Sequence, residues 1–280
     1  MPSKTNLIHR HKLIMNNIIG HEDSKGTFHG GQNYNIIRAV YRKQKPLILR
    51  YVRSRTPKMA IEGLPLFFKV NFKPMWSRAL KQVWLNSAEE AEDFVKEHHN
   101  PVKKGEEIIQ KDYQEYADEW MDQHAGTKIN GITDTDQEWL ANTLRSGVSE
   151  GKTQNEIADD LVDDFDNVSE GRAATIARTE TNGAFSYASN ETAKDLMPEG
   201  ATKTWNTTSS APRPAHEDAD GQTVALSDSF DIGGEDLDYP SDPNGSDWNT
   251  INCLCVITYD YPSESEVTGL PVEEFPEEEE

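Results

Sequence analysis

His216, Asp220, Cys253 and Cys255 are the side chains whose types and spacing could do chemistry together. Cys253 and Cys255 lie two apart in a stretch with strand character, Cys253 to Tyr259, so both are expected on one face of a sheet. With His216 and Asp220 arriving from an adjacent turn, sulfur, nitrogen and oxygen donors could surround a tetrahedral zinc ion. The same two thiols fit a small-residue core packed against Trp205, so no cofactor is expected, and zinc is the metal this set would take. A disulfide across one intervening residue would be strained, and two cysteines make no disulfide framework. Glu180 opens a second chemistry: His216 as base, with Asp220 and Glu180 holding a cation, describes a metal-dependent nuclease or toxin-like enzyme. No recognised nuclease motif accompanies them. An ADP-ribosyltransferase would need its Arg and Glu on separate elements, whereas Arg178 and Glu180 sit on one predicted helix, about 200° apart around its axis.

The elements that must position these residues follow from periodicity. Thr153-Gln154-Asn155-Glu156 spells a capping box, opening a short helix from Ile157 to Phe165. A longer helix is expected from about Ser169 to Leu196, stopped by Pro198 and Gly200. Ala173, Ala177, Glu180, Ala184, Tyr187 and Ala188 share one face of it, small enough to pack closely on a sheet. Glu180 is then drawn inward and needs a partner, for which Arg213 or His216 is the natural candidate. After Gly200 the texture becomes strands and turns: Thr202 to Thr207, Gln222 to Leu226 and Cys253 to Tyr259, with Asp220-Gly221 as a tight turn and 227–250 as a long ordered loop or lid. Upstream, helices are expected from Trp76 to about His99, from Lys103 to His124, joined at Asn100-Pro101, and from about Asp134 to Gly147. The stretch 56–76, with Pro57, Pro65 and Pro74, suggests extended aromatic packing, and the opening segment to Ser24 suggests partial disorder. His9, His11, His98 and His99 are expected to face solvent.

Charge divides the chain. Residues 1–60 hold twelve Lys and Arg against Glu22 and Asp23, so this block carries about +10 within a chain whose net charge is −21. Ile36, Ile37, Val40, Leu47 and Ile48 recur among Arg38, Arg42, Lys43, Lys45, Arg50, Arg53 and Arg55, which describes a basic amphipathic helix broken or kinked at Pro46. Lys and Arg interleaved with Tyr34, Tyr41 and Tyr51 suit phosphate contact with some stacking, hence a DNA-binding reading of this arm. The apolar stripe favours a protein surface instead. The acidic remainder would repel DNA. No stretch approaches the length of apolar residues that a membrane helix needs.

Arg172, Ala177-Arg178-Thr179-Glu180, Trp205, Arg213-Pro214-Ala215-His216, Asp220-Gly221, Phe230, Tyr239-Pro240-Ser241-Asp242-Pro243 and Asn252-Cys253-Leu254-Cys255 follow one another in that order. This set resembles the Mu F-like minor head protein family of tailed double-stranded DNA phages over about residues 134–260. Two departures stand out: Leu254 replaces the usual Arg between the cysteines, and the run Ser209 to Pro212 replaces an acidic residue before the Arg-Pro-x-His element. The resemblance implies a non-enzymatic head-morphogenesis protein, made in the host cytoplasm and placed in the capsid interior near the portal vertex. The partners it implies are the portal protein, a major capsid or scaffolding protein and packaged DNA. The expected architecture is α+β: a basic arm (1–60), a helical middle region (61–130), a domain of helices on a small antiparallel sheet (131–262) and a disordered acidic tail (263–280).

Overall fold

The computed structural model describes residues 4–22, 28–98, 112–209 and 211–262. It is an α+β arrangement in which helices occupy the N-terminal and middle regions and a small antiparallel sheet closes the C-terminal part. The organising element is α6 (Gln154–Leu196), along which α2 (Gln32–Arg53), α4 (Lys73–His98) and α5 (Tyr113–Ser149) all pack. Every residue from Thr179 to Asn190 is buried. A helix buried all round is ordinarily apolar, yet this one carries Thr181, Asn182, Ser186, Ser189 and Asn190, so each neighbour must bring a hydrogen bond. Asn33 on α2 donates to Thr181 at 2.9 Å, Asn182 donates to Ser241 at 3.4 Å, and Ser189 meets the Tyr259 hydroxyl at 3.0 Å.

The capping box at the start of α6 is present, with Thr153 accepting from the Glu156 amide and Glu156 accepting from that of Thr153. The break expected between Phe165 and Ser169 is not there. No Gly or Pro occurs in that stretch, and α2 lies alongside it: Lys45 pairs with Asp166 at 2.9 Å and Arg38 donates to Ser169 at 3.3 Å. Likewise α5 runs unbroken through the gap expected between His124 and Asp134. Thr133 and Thr135 turn their hydroxyls back to the carbonyls of Ile129 and Gly131, both at 2.8 Å, which lets polar residues ride inside the helix.

Three further expectations are corrected. Residues 56–76 are helical: α3 (Pro57–Asn71) is capped by Thr56 with Pro57 in its first turn, and Pro74 lies in the first turn of α4. Pro is tolerated there because the first amides have no intrahelical acceptor. Leu64, Phe68 and Phe72 then fall four apart on one buried face, the two Phe rings meeting edge to face at 4.8 Å. The opening segment forms α1 (Lys4–Ile18), followed by the hairpin β1 (Gly20–Glu22) and β2 (Phe28–Gly30), and Leu7, Ile14 and Ile18 enter the core. α2 continues through Pro46 without breaking. The expected joint at Asn100-Pro101 and the acidic tail lie outside the described residues.

The sheet has the order β4-β3-β7, all antiparallel: β3 (Thr202–Asn206) is central, β4 (Thr223–Ala225) pairs Thr204 with Thr223, and β7 (Val256–Asp260) pairs Trp205 with Ile257. The long loop holds a two-stranded ribbon of β5 (Phe230–Asp231) and β6 (Asp236–Leu237), and the short helix α8 (Asp247–Thr250). The small-residue face of α6 is buried as expected, but the helix packs mainly on α4 and α2 rather than on the sheet. Among the described residues no helix is long and apolar enough to cross a membrane.

Candidate functional site

The short helix α7 (Pro214–Asp218) begins at Arg213, with Pro214 in its first turn, and turns His216 inward. Opposite it, the chain from Ile251 to Cys255 precedes β7 rather than belonging to it, so strand alternation does not align the two cysteines. Asn252 does that instead: it adopts a left-handed conformation (φ 57°), and its amide donates to Thr179 on α6 at 3.1 Å. The Asn182 amide group holds the carbonyl of Cys255 at 3.4 Å. The consequence is a buried cluster in which His216 Nδ1 lies 3.3 Å from Cys255 Sγ and 3.7 Å from Cys253 Sγ. The Cys255 thiol donates to Cys253, and with His216 beside it this holds Cys253 below the ordinary thiol range. Donating to Cys253, and buried, Cys255 stays above it. Trp205 closes one side, its ring 5.6 Å from that of His216 and 5.4 Å from that of Phe230.

Asp220 is not part of this cluster. Its carboxylate is exposed and accepts from the Thr207 amide at 2.8 Å, while Gly221, left-handed at φ 83°, donates its amide to the Trp205 carbonyl at 2.8 Å. The pair makes the predicted turn and ties it to β3. Arg213 also departs from expectation: its guanidinium lies over the Trp248 ring at 5.7 Å and donates to the Ile251 carbonyl, fastening α7 to α8.

Glu180 is buried, 4 % exposed, as expected, but its partners come from the helical region. Lys128 on α5 pairs with it at 3.3 Å and the Trp84 indole of α4 donates to it at 3.1 Å. A carboxylate placed where three helices meet is stabilised by both a charge and a hydrogen bond, which is what removal from water demands. Glu180 and Lys128 line a cleft of about 400 Å³ between α5, α6 and the loop around Pro243, which Arg172 and His124 also border. His216, Asp220 and Glu180, the trio of the enzyme reading, therefore do not converge.

Arg172 makes the second buried pair. Its Nε donates to Asp136 on α5 at 2.5 Å and to the Tyr41 hydroxyl at 3.2 Å, and Tyr41 donates to Asp136 at 3.2 Å. Burial pushes the Asp136 carboxyl up to about 6, partly opposed by Arg172 and the Tyr41 hydrogen bond. The same burial holds Tyr41 well above its usual range. Lys128, Trp84 and Asp136 were not singled out from sequence. Asp136 could have been, since Ile132, Asp136 and Leu140 are four apart on a face otherwise apolar. Tyr41, expected with Tyr34 and Tyr51 to stack beside phosphates, is buried like both of them and bonds Asp136 instead. Arg178 is half-buried beside Thr208 and Leu254 in a cavity reached by α1. His11, expected in solvent, lines that cavity too but is buried, edge to face with Phe185 at 5.1 Å, and burial lowers its pKa to about 3.

Among the basic residues of 1–60, Lys45 and Arg53 are paired with Asp166 and Asp159 of α6, both at 2.9 Å, and Arg55 lies over the Tyr51 ring at 4.1 Å. Arg42, Lys43 and Arg50 are exposed.

A sequence model of the family described as phage Mu protein F like protein matches residues 138–258. No curated protein and no solved structure matches the chain.

Proposed function

We propose that the chain, whose residues 138–258 match the phage Mu protein F like family, is a minor head protein of a tailed phage. It sits inside the capsid at or near the portal and supports head assembly and genome packaging or delivery. The family match carries this reading. The way the motif positions are used supports it: Arg172, Glu180, Trp205, Arg213, Asp220 and Asn252 each bond or pack within the chain, as residues that build a domain do.

The partner surface lies on the N-terminal helices. Met59, Leu66 and Val70 of α3 are 59, 67 and 62 % exposed, and their spacing of seven and four places them on one face. An apolar helical stripe left in water is a protein-binding feature. With Arg42, Lys43 and Arg50 exposed on the neighbouring α2, the surface suits an acidic, partly apolar face of the portal, with a major capsid or scaffolding protein as the further partner.

The test is co-purification with the cognate portal protein. Deleting residues 1–60 would also remove core side chains such as Ile37, Tyr41 and Ile48, so point variants are the cleaner probe. Wild type is expected to be retained, and a Leu66→Asp/Val70→Asp variant lost. Failure of the wild type to bind sinks the portal-anchored reading. Binding to duplex DNA that falls steeply with salt and vanishes on reversing Arg42, Lys43 and Arg50 would transfer the function to the DNA-binding reading.

A further inference from the structure

We propose that His216, Cys253 and Cys255 are the three protein ligands of a structural zinc site that locks α7 and the 251–255 loop to the sheet. Their donor atoms all lie within 4.8 Å of one another, and all three residues are buried. A tetrahedral zinc with sulfur at about 2.3 Å and nitrogen at about 2.0 Å sets its ligand atoms roughly 3.5 to 3.8 Å apart. The 3.3 and 3.7 Å separations of Nδ1 from the two sulfurs match that spacing, so an ion can be seated with small side-chain adjustments.

The chemistry of the donor set points the same way. Two soft sulfurs with an imidazole select zinc over magnesium or calcium, which take oxygen ligands. The ring nitrogen Nδ1 is aimed at both sulfurs while Nε2 has no hydrogen-bond partner. With the proton on Nε2, the Nδ1 lone pair faces both sulfurs, the orientation in which an imidazole and two thiolates can share a cation. Zinc supplies that cation, and the two thiol protons leave to solvent as it binds. The supporting backbone is fixed from outside the cluster, through Asn252 bonded to Thr179 and the Cys255 carbonyl bonded to Asn182, so the ligands are held in position before the ion arrives. The fourth position falls to a water, because the Asp220 carboxylate is exposed and already accepts from the Thr207 amide. Burial of all three ligands favours a structural role over a catalytic one.

The full-length chain, purified without chelator and with any affinity tag removed, should carry about one zinc by elemental analysis. Replacement by cobalt should give sulfur-to-cobalt charge-transfer bands in the near ultraviolet and intense tetrahedral bands in the visible. Cys253→Ser, Cys255→Ser and His216→Ala variants should each retain less than about a tenth of the metal. Should these fail to fold, the cobalt spectrum of the wild type decides alone. A wild-type chain without metal, whose two thiols titrate freely after unfolding without chelator, would overturn the assignment. So would bound cobalt lacking sulfur charge transfer, because the ion would then sit elsewhere.

Discussion

Replacing Arg172 by Leu should cost stability in a way that depends on pH, because what it leaves behind is the buried carboxylate of Asp136. Folding raises that carboxyl from 3.8 to about 6 even with Arg172 beside it. A group whose folded pKa is raised is favoured in its protonated form by the fold. Its unfavourable contribution is therefore absent below about pH 4 and grows as pH rises toward the folded value. In the wild type this amounts to about 3 kcal/mol at about pH 7.5. Without Arg172 the folded pKa climbs further, and keeping the carboxyl protonated at that pH costs up to about 5 kcal/mol. The electrostatic part of the substitution is thus about 2 kcal/mol at about pH 7.5 and close to zero at about pH 5. Lost hydrogen bonds to Tyr41 and to the Ile132 carbonyl add roughly 1 kcal/mol at either pH. Urea unfolding of Arg172→Leu against wild type should therefore show a deficit of about 3 kcal/mol at about pH 7.5, shrinking to about 1 kcal/mol at about pH 5. Adding Asp136→Asn to the variant should abolish that pH dependence. A deficit that stays constant, or grows on acidification, would refute the argument that Asp136 is what Arg172 compensates.

Three further expectations use the same assay. Lys128→Met strands Glu180 with only the Trp84 indole and should cost about 3 to 5 kcal/mol, more than Glu180→Gln, which keeps the indole bond; equal losses would mean the charge pair is not what matters. Gly147→Ala would bring a methyl to within 2.4 Å of Ile157 Cγ1, a buried side chain on α6; despite better helix propensity it should lose about 1 to 2 kcal/mol, recovered in part by Ile157→Val. His11 has its folded pKa lowered from 6.5 to about 3, so its stabilising neutrality is present above pH 6.5 and is lost as pH falls: about 2 kcal/mol by pH 5, a slope that His11→Leu should remove. Because His11 and Asp136 titrate in overlapping windows with opposite sign, each variant is compared with wild type at the same pH.

Local signals fixed the ends of elements well and their continuity badly. The Thr153 capping box, the Asp220-Gly221 turn and the strands β3 and β4 lie within a residue or so of their expected places, because each depends on a backbone group satisfied nearby, whereas β7 starts three residues later than expected. The interruptions expected in α5 and α6 do not occur. Polar residues mid-helix look like loop when read alone, whereas here Asp166 and Ser169 are held by Lys45 and Arg38 from a helix more than a hundred positions earlier. The prolines of 56–76 misled for the opposite reason: Pro57 and Pro74 start helices, so counting them as breakers hid an aromatic face with a spacing of four.

The candidate site divides along the same line. That Glu180 must be buried and paired followed from its helix face, and that requirement holds. Which cation pairs with it did not follow, since Arg213 and His216 were closer in sequence but Lys128 and Trp84 are what α5 and α4 place against that turn of α6. The cysteines show the converse. Strand alternation is the wrong reason for their convergence, yet they converge, because a left-handed Asn252 anchored on Thr179 redirects the chain just before β7. In both places α6 is the reference: Thr179, Glu180 and Asn182 form one buried turn that receives the loop on one side and the helices on the other. A polar turn at the centre of a helical core has no stability of its own to offer, since each unsatisfied group there costs about 1 to 3 kcal/mol. Its presence makes sense only if the helices and the loop dock together, so perturbing the loop at Asn252 should weaken the packing of α4 and α5 as well as that of the sheet.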